Sequence, residues 1–175
     1  MKLKRIALIA ALLQLFAITV FAQKVEVDYD KTTNFSKFKT YAWKPGMGTP
    51  AQNPLMNTRI IDAIEQQMAT KGIVKVDPNN NPDLFVTYHA AVDYETQLNT
   101  MGMGWGYGYY GGSTTTYVEK IPVGTLLVEM GDPQVKKMVW RAQGKDTLSD
   151  KPEKIEKTIY KCVDKMFKKF PPEEK

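Results

Sequence analysis

From Val25 to Asp30, apolar and acidic side chains alternate without a slip, as Val-Glu-Val-Asp-Tyr-Asp. A period of two puts successive side chains on opposite faces of a strand, so this segment predicts one buried and one wet face. Asn34 to Lys39 reads as a turn with Phe35 and Phe38 as anchors, and Thr40 to Trp43 as a second, shorter strand. Lys44 to Pro54 holds Pro45, Gly46, Gly48, Pro50 and Pro54, which makes it a loop. At Asn53-Pro54 the period changes. Asn suits an N-cap and Pro suits the first helical position. Met56, Ile60, Ile64 and Met68 then recur every four residues, with Leu55 and Ile61 beside them. That is one apolar stripe on a helix over 54–71, closed by Lys71-Gly72.

Ile73 to Val76 reads as a short strand and Asp77 to Pro82 as a turn. Leu84 to Glu95 alternates again, as a long strand whose second face turns polar toward its end. Thr114 to Val118 is β-prone, Pro122 is expected to interrupt, and Thr125 to Met130 continues as strand. Gly131-Asp132-Pro133 separates two β-prone runs, Gly124–Met130 and Gln134–Ala142. This predicts a hairpin with Met138 and Trp140 on one face of the return strand. Asp150, with Pro152 just after it, starts a second helix. Ile155, Ile159, Cys162, Val163, Met166, Phe167 and Phe170 follow at spacings of three and four, and Pro171-Pro172 ends it. Cys162 falls inside that stripe and reads as a small buried hydrophobe. Each helix has one apolar stripe and needs one partner. The economical solution is an α/β fold of the α+β kind. It is a two-layer sandwich with a mostly antiparallel sheet of about six strands and both helices on one face.

The first residues carry a different pattern. Lys2, Lys4 and Arg5 precede Ile6 to Ala22, an apolar run broken only by Gln14 and Thr19 and ending Val20-Phe21-Ala22. These are the three regions of a secretory signal peptide, so residues 1–22 are expected to be removed and 23–175 to form a single domain. The run is short of the roughly 20 residues that span a bilayer. With no cysteine near residue 22, lipid attachment at a new N-terminus is not expected, and membrane association would require an uncleaved leader. The expected location is the periplasm or cell envelope. Loss of three basic and no acidic residues lowers the net charge from +5 to +2. A nucleic-acid partner needs a concentrated basic face, and here the lysines are scattered among acids.

Composition narrows the chemistry. At 43% hydrophobic and 11% aromatic, the chain is no disordered tail. A single Cys and a single His exclude an internal disulfide and leave too few ligands for structural zinc, which takes about four. Any histidine-based engine would have to use His89, which lies mid-strand. Acidic residues come in sets: Glu26, Asp28 and Asp30; Asp93 and Glu95; Glu129 and Asp132. A solvated face accounts for them. Asp28 and Asp30, two apart on a strand, could come within reach of one another, which keeps open a hydrolase using a carboxylate pair. A metal on Glu26, Asp28 and Asp30 has the same standing. No G-x-S-x-G is present.

The most unusual stretch is Gly102 to Gly112, which holds six of the twelve glycines with Trp105, Tyr107, Tyr109 and Tyr110 between them. Gly106, Gly108 and Gly111 spell a formal G-x-G-x-x-G, but the strand-prone Ser113–Tyr117 follows where a dinucleotide site needs a helix. Neither nucleotide nor other cofactor is expected. In one reading the stretch only connects two strands. In another, Trp105, Tyr107, Tyr109 and Tyr110 face out and stack on a partner, an envelope protein edge or a glycan. Contact with a membrane surface is the third.

Val27-Asp28-Tyr29-Asp30, Phe35, and Phe38-Lys39-Thr40-Tyr41-Ala42-Trp43 resemble the opening of the bacterial domain-of-unknown-function 4136 family (DUF4136). Met68-Ala69-Thr70-Lys71-Gly72, Pro82-Asp83-Leu84, the Gly/aromatic stretch, Gly124-Thr125-Leu126, Val139-Trp140-Arg141 and Phe170-Pro171-Pro172 follow in the family's order. The resemblance covers nearly all of 24–172. It implies an exported, lipoprotein-like envelope protein with no established enzymatic activity, and it supplies no catalytic residues. The lipid-acceptor cysteine of many members is missing here. The sequence therefore predicts a non-catalytic binding or assembly module of the envelope, with the carboxylate-pair hydrolase as the alternative.

Overall fold

The structure, a computed structural model, describes residues 24–102 and 114–172. The strands are β1 (Lys24–Tyr29), β2 (Thr40–Trp43), β3 (Val74–Lys75), β4 (Leu84–Gly102), β5 (Thr114–Asp132) and β6 (Lys137–Thr147). The helices are α1 (Pro54–Thr70) and α2 (Pro152–Phe167), and a 3-10 turn spans Phe35–Lys37. The strands form one sheet in the order β1-β6-β5-β4-β2-β3. Pairing is antiparallel from β1 through β4 and parallel from β4 to β2 and β2 to β3, so the sheet is mixed. The α+β expectation holds, with antiparallel pairs in the majority.

The helix boundaries follow local chemistry. The Asn53 side chain accepts hydrogen bonds from the backbone N–H of Leu55 (2.9 Å) and Met56 (3.3 Å), satisfying donors that the first turn of α1 leaves orphaned. Gly72 follows the helix with φ +73°, a conformation most side chains avoid. At α2 the expected Asp150 cap is not used. Lys151 is the N-cap residue and makes no side-chain cap bond, while Pro152 supplies the preset φ at the first position.

Both helices lie on one sheet face. Ile60, Ile64 and Met68 of α1 and Ile159, Val163, Met166 and Phe167 of α2 are buried against Leu84, Val86, Leu126, Val128, Met130 and Ala142. At one end an aromatic cluster closes the sandwich. Trp140 meets Phe170 at 5.2 Å and Phe167 at 5.5 Å between ring centroids, and Phe170 meets Phe35 at 5.9 Å. The Trp140 Nε1 donor has no acceptor among the described residues.

Asp83 fastens the parallel part of the sheet. Its carboxylate accepts from the N–H groups of Lys39 and Thr40 and from the Thr40 hydroxyl, each at 2.9 Å. The Thr40 hydroxyl oxygen in turn accepts from the Asp83 N–H at 3.0 Å. The Lys39 N–H first, with the Thr40 groups behind it, holds the Asp83 carboxyl below the usual carboxylate range.

Two expectations are corrected. Pro122 does not interrupt β5. Its carbonyl accepts from the Leu148 N–H at 2.8 Å, so its ring nitrogen faces the same side, where β6 has already ended. No ladder bond to β4 is lost, which is where a strand tolerates proline. Met138 and Trp140 do not share a face either. The register shifts by one residue at Met130/Gly131: Trp140 pairs with Met130 and Met138 with Gly131, leaving Val139 as the extra residue between them. This bulge buries Val139 and Trp140, at 1% exposure each, and turns Met138 out, at 51%.

Candidate functional site

Trp105, Tyr107, Tyr109 and Tyr110, the residues singled out by the sequence, lie outside the described residues. What the structure does describe is the pair of strands on either side of that segment. Gly102 pairs with Thr114, so the intervening segment joins the far ends of β4 and β5. Those strands keep one register all the way from Phe85↔Gly131 to Gly102↔Thr114. Their neighbours stop early. On the β5 side, pairing with β6 ends at Val123↔Thr147. On the β4 side, β2 ends at Val86, and only an isolated bridge from Thr49 to His89 reaches further. Beyond that point, among the described strands, the two pair only with each other. The ribbon from Tyr94↔Pro122 to Gly102↔Thr114 extends about 27 Å at roughly 3.4 Å per residue.

Such an arm has unusual surface chemistry. On the face continuous with the core, Tyr94, Leu98 and Val118 are 67%, 68% and 61% exposed. The opposite face carries Asp93, Glu95, Gln97 and Tyr117, all exposed. Among the described residues no third strand pairs with either edge of the ribbon. A two-stranded ribbon of this length is marginal alone in water, and open edges are templates for strand addition. The alternation that marked Leu84 to Glu95 as strand continues through Thr96 and Leu98, a signal that could have lengthened the predicted strand.

Of the acidic sets, Glu129 and Asp132 line one cavity of about 460 Å³ together with Lys44, Lys136 and Lys137, and Glu26, Asp28 and Asp30 are not among its lining. Asp30 lies past the end of β1, and its carboxylate accepts from the Thr32 N–H (2.8 Å) and the Thr32 hydroxyl (2.7 Å), which lowers its pKa. Asp28 instead faces Arg141, which pairs onward with Glu129 across the open sheet face. Glu26 ion-pairs with Lys24 at 2.7 Å. Asp132 is buried. Burial pushes its carboxyl up, but the Lys37 ammonium at 2.7 Å and the N–H groups of Gln134 and Val135 outweigh it, and the net shift is down. It is the anchor of the β5–β6 turn. Among the described residues no three His, Cys, Asp or Glu side chains gather as a metal site.

His89 sits on the open face. One ring nitrogen, Nδ1, lies 3.0 Å from the Thr49 hydroxyl, and the other lies 3.6 Å from Glu129. The second distance exceeds a hydrogen bond, so the three groups do not form a relay. Cys162 is buried on α2, as its stripe predicted. Burial first, with Asp146 adding to it, pushes its thiol up to about 12, which keeps it protonated and unreactive.

Residues 25–172 match the family described as "Domain of unknown function (DUF4136)". No curated protein matches the chain. Among solved structures, it is similar to a DUF4136 family protein from Bacteroides thetaiotaomicron, at 18% identity and TM-score 0.55, covering 85% of this chain and 96% of that one. It is also similar to a PDZ domain protein from Parabacteroides distasonis, at 14% identity and TM-score 0.55. That alignment covers 95% of this chain but only 40% of the other protein's length. A third is the PelC dodecamer from Paraburkholderia phytofirmans, at 14% identity and TM-score 0.51, covering 83% and 95%. At these identities the likeness is one of fold. No described helix is long and apolar enough to cross a membrane.

Proposed function

The chain belongs to the DUF4136 family, and on that footing we propose that it is an exported cell-envelope protein that binds or assembles with a partner through the β4–β5 arm, without catalysing a reaction. The observation that carries this reading is the arm itself. Two strands leave the sheet together, keep their pairing for about 27 Å, and expose Tyr94, Leu98 and Val118. A fold gains nothing in stability from such an extension, whereas a partner laid along it gains both backbone pairing and aromatic contact. The partner is an envelope protein or a glycan. Assembly enters because the similar PelC is a dodecamer. Export rests on the basic, apolar and small-residue regions of residues 1–22. The non-catalytic part of the reading is supported by the acids the sequence offered as a pair: Asp28 lies opposite Arg141, and Asp30 holds a turn through Thr32.

The test is crosslinking in intact cells from a photoreactive residue at Tyr94, with mass spectrometry of the captured species. Capture of one partner, lost when Trp105, Tyr107, Tyr109 and Tyr110 are all replaced by Ser, supports the reading. Equal capture by both proteins assigns the aromatic stretch to connection only. Intact mass tests export separately: the proposal requires the protein to accumulate about 22 residues shorter, outside the cytosol.

A further inference from the structure

A cavity of about 600 Å³ opens where the arm leaves the body. Its sheet wall includes Ala90 and Leu126, and its helix wall includes Met56 and Ile60 of α1 and Ile159 and Cys162 of α2. The volume is that of a small-molecule site, which runs from about 300 to 1,000 Å³. Small side chains make the room: Ala51, Ala90, Ala91 and Gly124 all line it. Gly144 and Cys162 also line it, and a Cβ at Gly144 would lie 2.3 Å from Cys162 Sγ. At the opposite end the aromatic cluster of Trp140, Phe167 and Phe170 fills the space between helix and sheet.

The lining selects the ligand. Its one charged residue is Asp146. The polar oxygen of Asn53 is committed to capping α1. The other neutral polar members of the lining are Thr49, Gln52, Thr125 and Thr158, and the apolar side chains Met56, Ile60, Val92, Leu126, Leu148 and Ile159 supply the larger surface. The mouth has direction as well. Val92 and Tyr94 line the cavity and are also 47% and 67% exposed, so the apolar surface runs out of the hole onto the arm. On that face the pair after Tyr94↔Pro122 is Thr96↔Lys120, about 7 Å further along. An apolar hole thus leads along an apolar track to a cation.

We propose that this cavity takes the alkyl chain of a single-chain amphiphile with an anionic head, a free fatty acid being the simplest. The chain lies among Met56, Ile60, Leu126 and Ile159, and the carboxylate meets the Lys120 ammonium outside the mouth. The volume serves one chain, and a second would have to lie uncovered on the arm. This goes beyond partner binding by the aromatic stretch and does not rest on it.

The experiment is fluorescence titration of dansylamino-undecanoic acid into the protein purified as it accumulates in cells. Competitors are dodecanoate, dodecanol and phosphatidylglycerol vesicles. The expected result is one saturable site with blue-shifted emission, displaced by dodecanoate and not by vesicles. Ala90→Phe and Ala51→Phe, which fill the cavity from two walls, should each weaken binding by about tenfold or more while the unfolding temperature is retained. Lys120→Glu should weaken dodecanoate by about tenfold and leave dodecanol unchanged. Unsaturable binding, affinity unaltered in folded Ala90→Phe and Ala51→Phe, or displacement by vesicles alone would overturn the proposal. Should both filled variants fail to fold, Lys120→Glu decides from the exposed arm. Equal effects on dodecanoate and dodecanol there would overturn it.

Discussion

At Gly144 the side chains of α2 sit directly on the sheet, and replacing it tests how the sandwich is closed. An alanine Cβ at this position would lie 2.3 Å from Cys162 Sγ and 3.0 Å from Met166 Cε. Both neighbours are buried on α2, Cys162 at 5% exposure and Met166 at 0%, so neither can swing into solvent. Overpacking of this kind costs about 1–3 kcal/mol. Relief of glycine's unfolded-state entropy returns about 0.4–1 kcal/mol. The net expectation for Gly144→Ala is a loss of roughly 1–2 kcal/mol. Cys162→Ala alone removes one buried atom the size of a methyl and should cost about 1 kcal/mol. In the double variant the new methyl occupies the space the sulfur left. The pair should be more stable than the two single losses predict, by about 1–2 kcal/mol, where independent sites add to within about 0.5 kcal/mol. Urea unfolding followed by far-ultraviolet circular dichroism measures all four proteins. Additive losses, or a Gly144→Ala protein as stable as the parent, would show that α2 does not sit against β6 as described.

Further predictions follow from single contacts. Asp83→Asn should cost about 1–2 kcal/mol at neutral pH, because the charged acceptor for the Lys39 and Thr40 groups is lost. The folded-state pKa of Asp83 is depressed, so its contribution is complete above the unfolded value near 3.9 and disappears as pH falls through the lower folded value. The variant's stability should accordingly fall less steeply than the parent's below about pH 4 in acid titrations monitored by circular dichroism. Phe170→Ala should lose about 3–5 kcal/mol in urea unfolding, since its ring is buried against Trp140, Phe167 and Phe35. Met138→Ala should change stability by less than about 0.5 kcal/mol because the bulge turns Met138 outward; a large loss would refute the register shift. At pH 8, alkylation of native Cys162 by iodoacetamide should be at least about a thousandfold slower than in urea, read by mass spectrometry.

The aromatic stretch stood out from sequence because six glycines interleaved with rings is a compositional anomaly, visible without a fold. Its setting was not visible. Past Leu98 the alternation of β4 gives out, and exposed polar residues such as Gln97, Thr116 and Lys120 add little periodic signal. Only the pairing from Tyr94↔Pro122 to Gly102↔Thr114 shows that they form an arm. The cavity was beyond sequence reading altogether. Its walls come from the Thr49–Asn53 loop, both helices and strands β4, β5 and β6, and its room comes from residues too small to announce themselves.

What the residue order determined unaided was local. The spacing of Met56, Ile60, Ile64 and Met68, the Asn53-Pro54 start and the alternation of Val25 to Asp30 each need only near neighbours in the chain, because helix and strand periods are properties of the backbone. Two amphipathic helices and several half-buried strands then leave few ways to cover every apolar face, which is why the α+β class was legible. Long-range pairing decided the rest. That β1 lies beside β6, that β2 runs parallel to β4, that Pro122 fits within a strand and that Val139 displaces Met138 all depend on which strand ends where. Those are facts about residues far apart in sequence, settled only when the whole sheet forms.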